Sequence, residues 1–329
     1  MAKTCAESIF FYGAKVLYQH LSAMQAEVEG VKRSDDIEYI HRMRVASRRM
    51  RSTLKIFKDC FSKAEYKAWM KSIRAVTRSL GQARDIDVQI KILKENLQNY
   101  AKPMLKPGIK RLILRLRQKR QAMQGEVVQV MNQLEQDDTL GRIERWAAPW
   151  LEKEPGDNQD SAELFQLASS NIRSCFEEMK AYDQQVRIES KVAELHEMRI
   201  HAKQLRYTME AFEEIYGIPI SPFINQTKRI QSLLGSIHDA DVWLGMIPSF
   251  IEEEEQTITN CFGNNRRLRR LLPGLNAFSA DRKQSRDEKY QEFISFWDET
   301  LETGVWEELL FLIDNPHSFV DDPSLVESS

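Results

Sequence analysis

The chain is expected to be all-α, on three observations. Only 13 of its 329 residues are Gly and 10 are Pro, so long stretches lack the residues that interrupt helices. Apolar positions recur through those stretches at helical spacing, and few segments alternate with the two-residue period of a strand. The length suits two domains of ordinary size or one large one. A hydrophobic content of 42% supports sizeable cores.

The opening segment "MAKTCAESIFFYGAKVLYQHL" lacks the charged, apolar, then small-residue layout of a signal peptide. No apolar run approaches transmembrane length. Four cysteines (Cys5, Cys60, Cys175, Cys261) are scattered without a CxxC pair. Neither a disulfide framework nor a zinc site is therefore expected, and a reducing, cytoplasmic setting is.

Next comes "IHRMRVASRRMRSTLKIF" (40–57). His41, Arg44, Arg48, Arg51 and Lys55 follow at steps of three and four, which places them on one narrow helical stripe. Met43, Ala46, Met50, Leu54 and Phe57 form a second stripe, roughly opposite, and read as core. Arg74 and Arg78 then precede "SLGQARDIDV" (79–88), which holds Gly81, Arg84, Asp85 and Asp87. Gly81 is read as a place where a helix bends or stops. "KPMLKPGIK" (102–110) is a Pro-broken turn before another basic helix. "EKEPGDNQDS" (152–161) is polar, with Pro and Gly, and reads as a linker.

The second half repeats the first. At an offset of 155, His41 falls on His196, Arg44 on Arg199, Arg48 on Lys203 and Arg51 on Arg206. The apolar stripe follows as Met198, Leu205, Met209 and Phe212. At an offset of 154, "LLGSIHDADV" (233–242) places Gly235, His238, Asp239 and Asp241 on Gly81, Arg84, Asp85 and Asp87, and Lys228 on Arg74. Two separate blocks at almost one offset define a tandem duplication. "NCFGNNRRLRRLLPG" (260–274) takes the place of the earlier Pro-broken turn. Each half reads as roughly four helices in an antiparallel bundle around its own interior. The boundaries are 1–151 for the first repeat, 152–161 for the linker, 162–314 for the second repeat and 315–329 for a loose acidic tail.

Charge is strongly segregated. Residues 41–120 hold 23 Lys and Arg against 5 Asp and Glu, so the remainder carries the compensating negative charge. A face of that kind suits an anionic partner; a merely solvated face usually mixes both signs. Like charges three and four residues apart destabilise an isolated helix. The duplicated stripe therefore calls for an anion or for acidic neighbours. The paired Asp residues fit better as groups orienting Arg, Lys or His than as metal ligands.

With "HRMRVASRRMR" and "LGQARDIDV" matched by "HEMRIHAKQLRY" and "LGSIHDADV", the sequence resembles the CHAD family, the conserved histidine α-helical domain, from about residue 8 to about residue 310. The resemblance implies two tandem, pseudo-symmetric four-helix bundles forming one unit with a basic central groove or pore that binds inorganic polyphosphate. It implies lining by His41, Arg44, Arg48, Arg49, Arg51, Lys55, His196, Arg199, Lys203 and Arg206, with Arg74, Arg78, Arg84, Lys228 and His238 next. Asp85, Asp87, Asp239 and Asp241 would support them. The departures are Glu210 at the Lys55 position and Gln204 at the Arg49 position. There is no ExExK signature of a fused triphosphate tunnel enzyme.

The chemistry agrees with that implication. Polyphosphate offers only phosphate oxygens; Arg supplies forked donors, Lys a compact charge, and His a donor when protonated, so that binding should strengthen as pH falls. Competing readings are weaker. The His238-Asp239 doublet lacks further ligands for a metal phosphohydrolase, and its counterpart Arg84 does not ligate metals. The histidines of "HEMRIH" (196–201) are five residues apart and fall on different faces, so His201 reads as core-facing rather than as a zinc ligand. Nucleic-acid binding is the serious alternative, since phosphate-neutralising stripes serve it equally. It usually brings a stacking platform, whereas Trp69, Trp146, Trp150 and Trp243 sit among apolar positions and read as packing. A structural role on polyphosphate granules is a third reading. The expectation is a non-enzymatic polyphosphate binder without cofactor, metal or membrane span.

Overall fold

A computed structural model describes residues 6–34, 36–153 and 161–316. Among these residues all regular structure is helical. The first half contains α1 (Glu7–Gln25), α2 (Val28–Arg33), α3 (Ile37–Ile56), α4 (Lys63–Asn99), α5 (Lys106–Gln136) and α6 (Thr139–Leu151). The second contains α7 (Ala162–Lys180), α8 (Asp183–Val186), α9 (Val192–Ala211), α10 (Glu213–Tyr216), α11 (Ser221–Phe262), α12 (Leu272–Glu302) and α13 (Val305–Asp314). Apart from the extra turn of α10, the second series repeats the first element for element. Most of the linker and of the acidic tail lies outside the described residues.

Local chemistry sets the ends of these helices. The Asp36 side chain caps α3 by accepting from the Glu38 backbone N–H at 2.9 Å. Ser62 and Glu65 form a reciprocal capping box at the start of α4. Ser161 accepts from the Leu164 N–H at 3.2 Å to open α7. Pro107 and Pro273 stand in the first turns of α5 and α12, where a missing N–H costs nothing. Gly263, with φ of 70°, closes α11.

Within each half the stripe-bearing helix lies against the long helix that follows it, α3 on α4 and α9 on α11. The halves meet along α3 and α9 and again along α5 and α12. The apolar faces do not stay in separate interiors. Tyr12 stacks on Phe212 at 6.0 Å between ring centroids, and Phe57 meets its own counterpart Phe212 at 5.9 Å. One buried cluster thus runs through both halves. The physical reason is that Phe57 and Phe212 end their helices at the junction, where each finds the other half's apolar surface rather than its own. A smaller cluster fills the far ends of the long helices, with Leu93, Leu112, Trp243 and Phe278.

At that far end the contact between the halves is reciprocal. A Cβ on Gly108 would overlap the carbonyl oxygen of Leu271, and one on Gly274 would overlap that of Leu105. Only glycine lets these backbones approach. Gly108→Ala or Gly274→Ala should therefore destabilise the protein by about 1–3 kcal/mol. Gly125 is exposed in α5 with open space around it, so Gly125→Ala should stabilise by up to about 1 kcal/mol. Urea unfolding midpoints read both effects.

Candidate functional site

The two basic stripes ride on the helices that join the halves. Arg44 on α3 reaches across α4 at Gly81, and Arg199 on α9 crosses α11 at Gly235. In each case a Cβ on the glycine would sit 3.6 Å from the arginine Nε. Both glycines lie in mid-helix, so the expected bend or stop does not occur. α4 and α11 continue through them because helix-helix packing outweighs the weak helical preference of one glycine. What the glycines leave open is room beside each guanidinium.

Charges from both halves converge here. Burial, then Arg48, lowers the pKa of Arg44, with Asp85 opposing. Burial lowers that of Arg199, with Arg48 and Arg44 of the other half acting in the same direction and Asp239 opposing. Burial, then Arg199, Arg48 and Arg44, pulls the Lys203 ammonium down to about 7. Arg51 is lowered by burial, then by Arg74 and Arg48. The carboxylates do not balance this. Asp85 stands 3.5 Å from Arg44, while burial raises Asp239 despite Arg199 beside it.

Several stripe atoms are buried without any hydrogen-bond partner: the Nε of Arg44, Arg51, Arg199 and Arg206, and Nδ1 of His41. Arg206 Nε lies 3.5 Å from Glu210, outside hydrogen-bond geometry. Buried donors normally find acceptors, and leaving a charged one unpaired costs more than leaving a neutral one. Five such atoms fall on the two equivalent stripes.

The histidines divide by half. His196 Nδ1 and His238 Nδ1 are 3.0 Å apart, so one donates while the other accepts. Burial, then Arg199, holds His238 at about 4, and burial, then Arg199, also lowers His196. In the first half His41 faces Arg84 instead; burial, then Arg84, lowers its pKa. Arg84 in turn reaches Glu38 at 3.5 Å.

Other residues expected at the site scatter more. Arg49 pairs with Glu210 at 3.2 Å beside a cavity of about 460 Å³ that also holds His20, Tyr207 and Glu214. Burial, then Arg49, lowers His20 to about 4. Lys55 is exposed and lies in electrostatic reach of Cys175 on α7. Arg74, Arg78 and Lys228 are exposed. Asp87 holds Arg120 of α5 at 3.1 Å, and Asp241 holds Arg286 of α12 at 2.7 Å. These two carboxylates thus pin neighbouring helices instead of orienting the stripes.

Sequence reasoning missed Tyr207. Arg206 lies over its ring at 4.8 Å and Arg48 of the other half at 5.6 Å, so one ring on α9 meets a cation from each half. Its counterpart in the repeat is Ser52, so duplication gave no signal for it. His201 is not fully buried in the core. It is half-buried at the edge of the core, 3.2 Å from Glu178 and stacked on Tyr182, which packs against the main buried cluster. Trp69 and Trp243 are buried, and Trp146 and Trp150 pack on Phe10. No helix among the described residues is long and apolar enough to cross a membrane, and no group of three or more His, Cys, Asp or Glu there could hold a metal ion.

A helical fold built as two matching series, with cationic helices facing each other between them, defines the class to which the comparisons point. The chain matches the CHAD domain over residues 15–248 and belongs to that family. It is similar to the crystal structure of the CHAD domain from the plant Ricinus communis, at 20% identity and a TM-score of 0.59, over 84% of this chain and 93% of that one. It is also similar to PptA from Streptomyces chartreusis, at 14% identity and a TM-score of 0.56, over 87% of this chain and 98% of that one. Both likenesses bear on the fold. Among curated protein sequences none matches.

Proposed function

We propose that this chain binds inorganic polyphosphate without transforming it, in the cytoplasm and on polyphosphate granules. The residues are those of the paired stripes, contributed by repeats spanning 1–151 and 162–314. One observation carries the reading. Arg44, Arg51, Arg199, Arg206 and His41 each present a buried nitrogen without a partner, on equivalent helices that face each other. A flexible chain of phosphate oxygens neutralises the cations gathered here from both halves, and arginine pairs with such oxygens through two parallel donors. Nucleic acid would bring bases in search of a stacking surface, yet Arg48 and Arg206 already lie over the Tyr207 ring.

The test is a titration of long-chain polyphosphate against single-stranded DNA of equal charge at rising salt. Polyphosphate should bind more tightly throughout, and both affinities should fall steeply as counterions are released. Preference for DNA contradicts the proposal.

The depressed Lys203 gives a pH signature. A polyanion favours the ammonium form, while in the free protein that proton is half lost at about pH 7. Above pH 7 binding must therefore take up a proton, and affinity should fall by up to about tenfold per pH unit. Lys203→Arg stays charged and should flatten this limb. His41, His196 and His238, all depressed, add strength as they protonate on the acid side. For stability the sign is opposite. The unfolded chain holds the Lys203 proton more tightly, so this group's contribution to stability improves as pH rises from about 7 toward the ordinary lysine value near 10.4. Affinity measured by calorimetry at constant ionic strength should follow this course; a flat profile above pH 7 contradicts it.

A further inference from the structure

The basic segment 41–120 holds more cations than the stripes use. On α4, Arg84, Asp87, Lys91, Lys94 and Gln98 follow at steps of three and four and share one face. On α5, Lys106, Lys110, Arg117 and Gln121 share another, at steps of four, seven and four. Lys91, Lys94 and Gln98 meet Arg117 and Gln121 across one groove of about 580 Å³. Glu95 shares its rim, and Asp87 beneath is already engaged by Arg120. Lys102 stands in the turn that joins the two helices at the far end.

Among the described residues, none of Lys91, Lys94, Lys102, Lys106, Lys110 and Arg117 has a carboxylate partner, and all but Lys106 are exposed. Unlike the stripes, this row is mostly not duplicated, Lys283 at the position of Arg117 being the exception. Gly245 and Pro248 stand at the positions of Lys91 and Lys94, and Leu272 and Asn276 at those of Lys106 and Lys110. The row begins at Arg84, the residue that faces His41, and follows α4 to its end at Asn99, about 22 Å further along the helix.

We infer that this face of α4 and α5 is a second polyphosphate contact, a one-sided track that takes up the chain as it leaves the paired stripes and makes the protein prefer long chains. The inference rests on the proposed function of the stripes. A chain already held at Arg44 and Arg199 presents its next phosphates to the track at high effective concentration, so each added contact strengthens binding without a new encounter. A chain too short to leave the stripes gains nothing.

The experiment titrates tripolyphosphate and long-chain polyphosphate against the wild-type chain and two triple variants, K91A/K94A/R117A and K102A/K106A/K110A. Helical content and melting temperature verify the fold. Each variant should lose at least about tenfold in long-chain affinity. Its salt slope should flatten by about 2, and tripolyphosphate binding should stay unchanged. Unaltered long-chain affinity overturns the inference. So does an equal loss for both ligands, which would mean that the stripes had been disturbed. Loss of single-stranded DNA binding with polyphosphate binding intact assigns the track to nucleic acid and also overturns it. An R44M/R199M variant tested in parallel separates the two ideas: unchanged tripolyphosphate binding there defeats the stripe reading, whereas the track is judged on the triple variants.

Discussion

Replacing Arg44 and Arg199 together by methionine should weaken polyphosphate binding at least about a hundredfold while leaving the fold as stable as before or more so. Each guanidinium is worth about 1.5–3 kcal/mol when it bonds a charged acceptor. Two such losses amount to about a hundredfold or more in affinity. Stability should move the other way. In the free protein both side chains are largely buried, both Nε atoms lack partners, and each lies among like charges, Arg44 near Arg48 and Arg84, and Arg199 near Arg48 and Arg44 of the other half. Methionine keeps much of the apolar stem that packs over Gly81 and Gly235 and removes the charge. The melting temperature should hold or rise by about 2–4 °C. Fluorescence titration and calorimetric melting read the two effects; a fall in melting temperature that parallels the loss of affinity would mark these arginines as structural.

Arg286→Met should have the opposite profile, a large loss of stability with the binding chemistry intact. Arg286 is only 7% exposed. It donates to Asp241 Oδ1 at 2.7 Å, to Glu189 Oε1 at 2.7 Å and to the Glu189 carbonyl at 2.9 Å. It thus ties α12 to α11 and to the loop before α9. Removing it strands the mostly buried Asp241 carboxylate, a loss of the kind that costs about 3–5 kcal/mol. Adding Asp241→Asn removes the stranded charge and should restore part of the stability. Denaturant unfolding of the single and double variants checks this, and equal stability of wild type and Arg286→Met would contradict it.

Much of this architecture was legible in the sequence. The spacing of His41, Arg44, Arg48 and Arg51, repeated at His196, Arg199, Lys203 and Arg206, located the facing helices. The opposite apolar stripe named core residues that are buried. Three features were not legible, each for a physical reason. The part played by Gly81 and Gly235 depends on where one helix crosses another, which periodicity along a single helix does not encode. The pins Arg120 and Arg286 are separated by 166 residues, not 155, because α11 runs 27 residues past Gly235 where α4 runs 18 past Gly81, and the turn that follows α11 is three residues longer. That shift hid their equivalence from an alignment made at the stripes. The shared interior around Tyr12, Phe57 and Phe212 arises from packing between the halves, whereas amphipathic patterning tells only which face of a helix is apolar.

Tripolyphosphate is small enough to report on the stripes alone, and its calorimetric stoichiometry probes their union most directly. If both copies of the helix serve one anion, a single equivalent should bind per chain, and either Arg44→Met or Arg199→Met should remove most of its affinity. Two equivalents per chain, each surviving loss of the arginine in the other half, would mean that the cationic helices work apart.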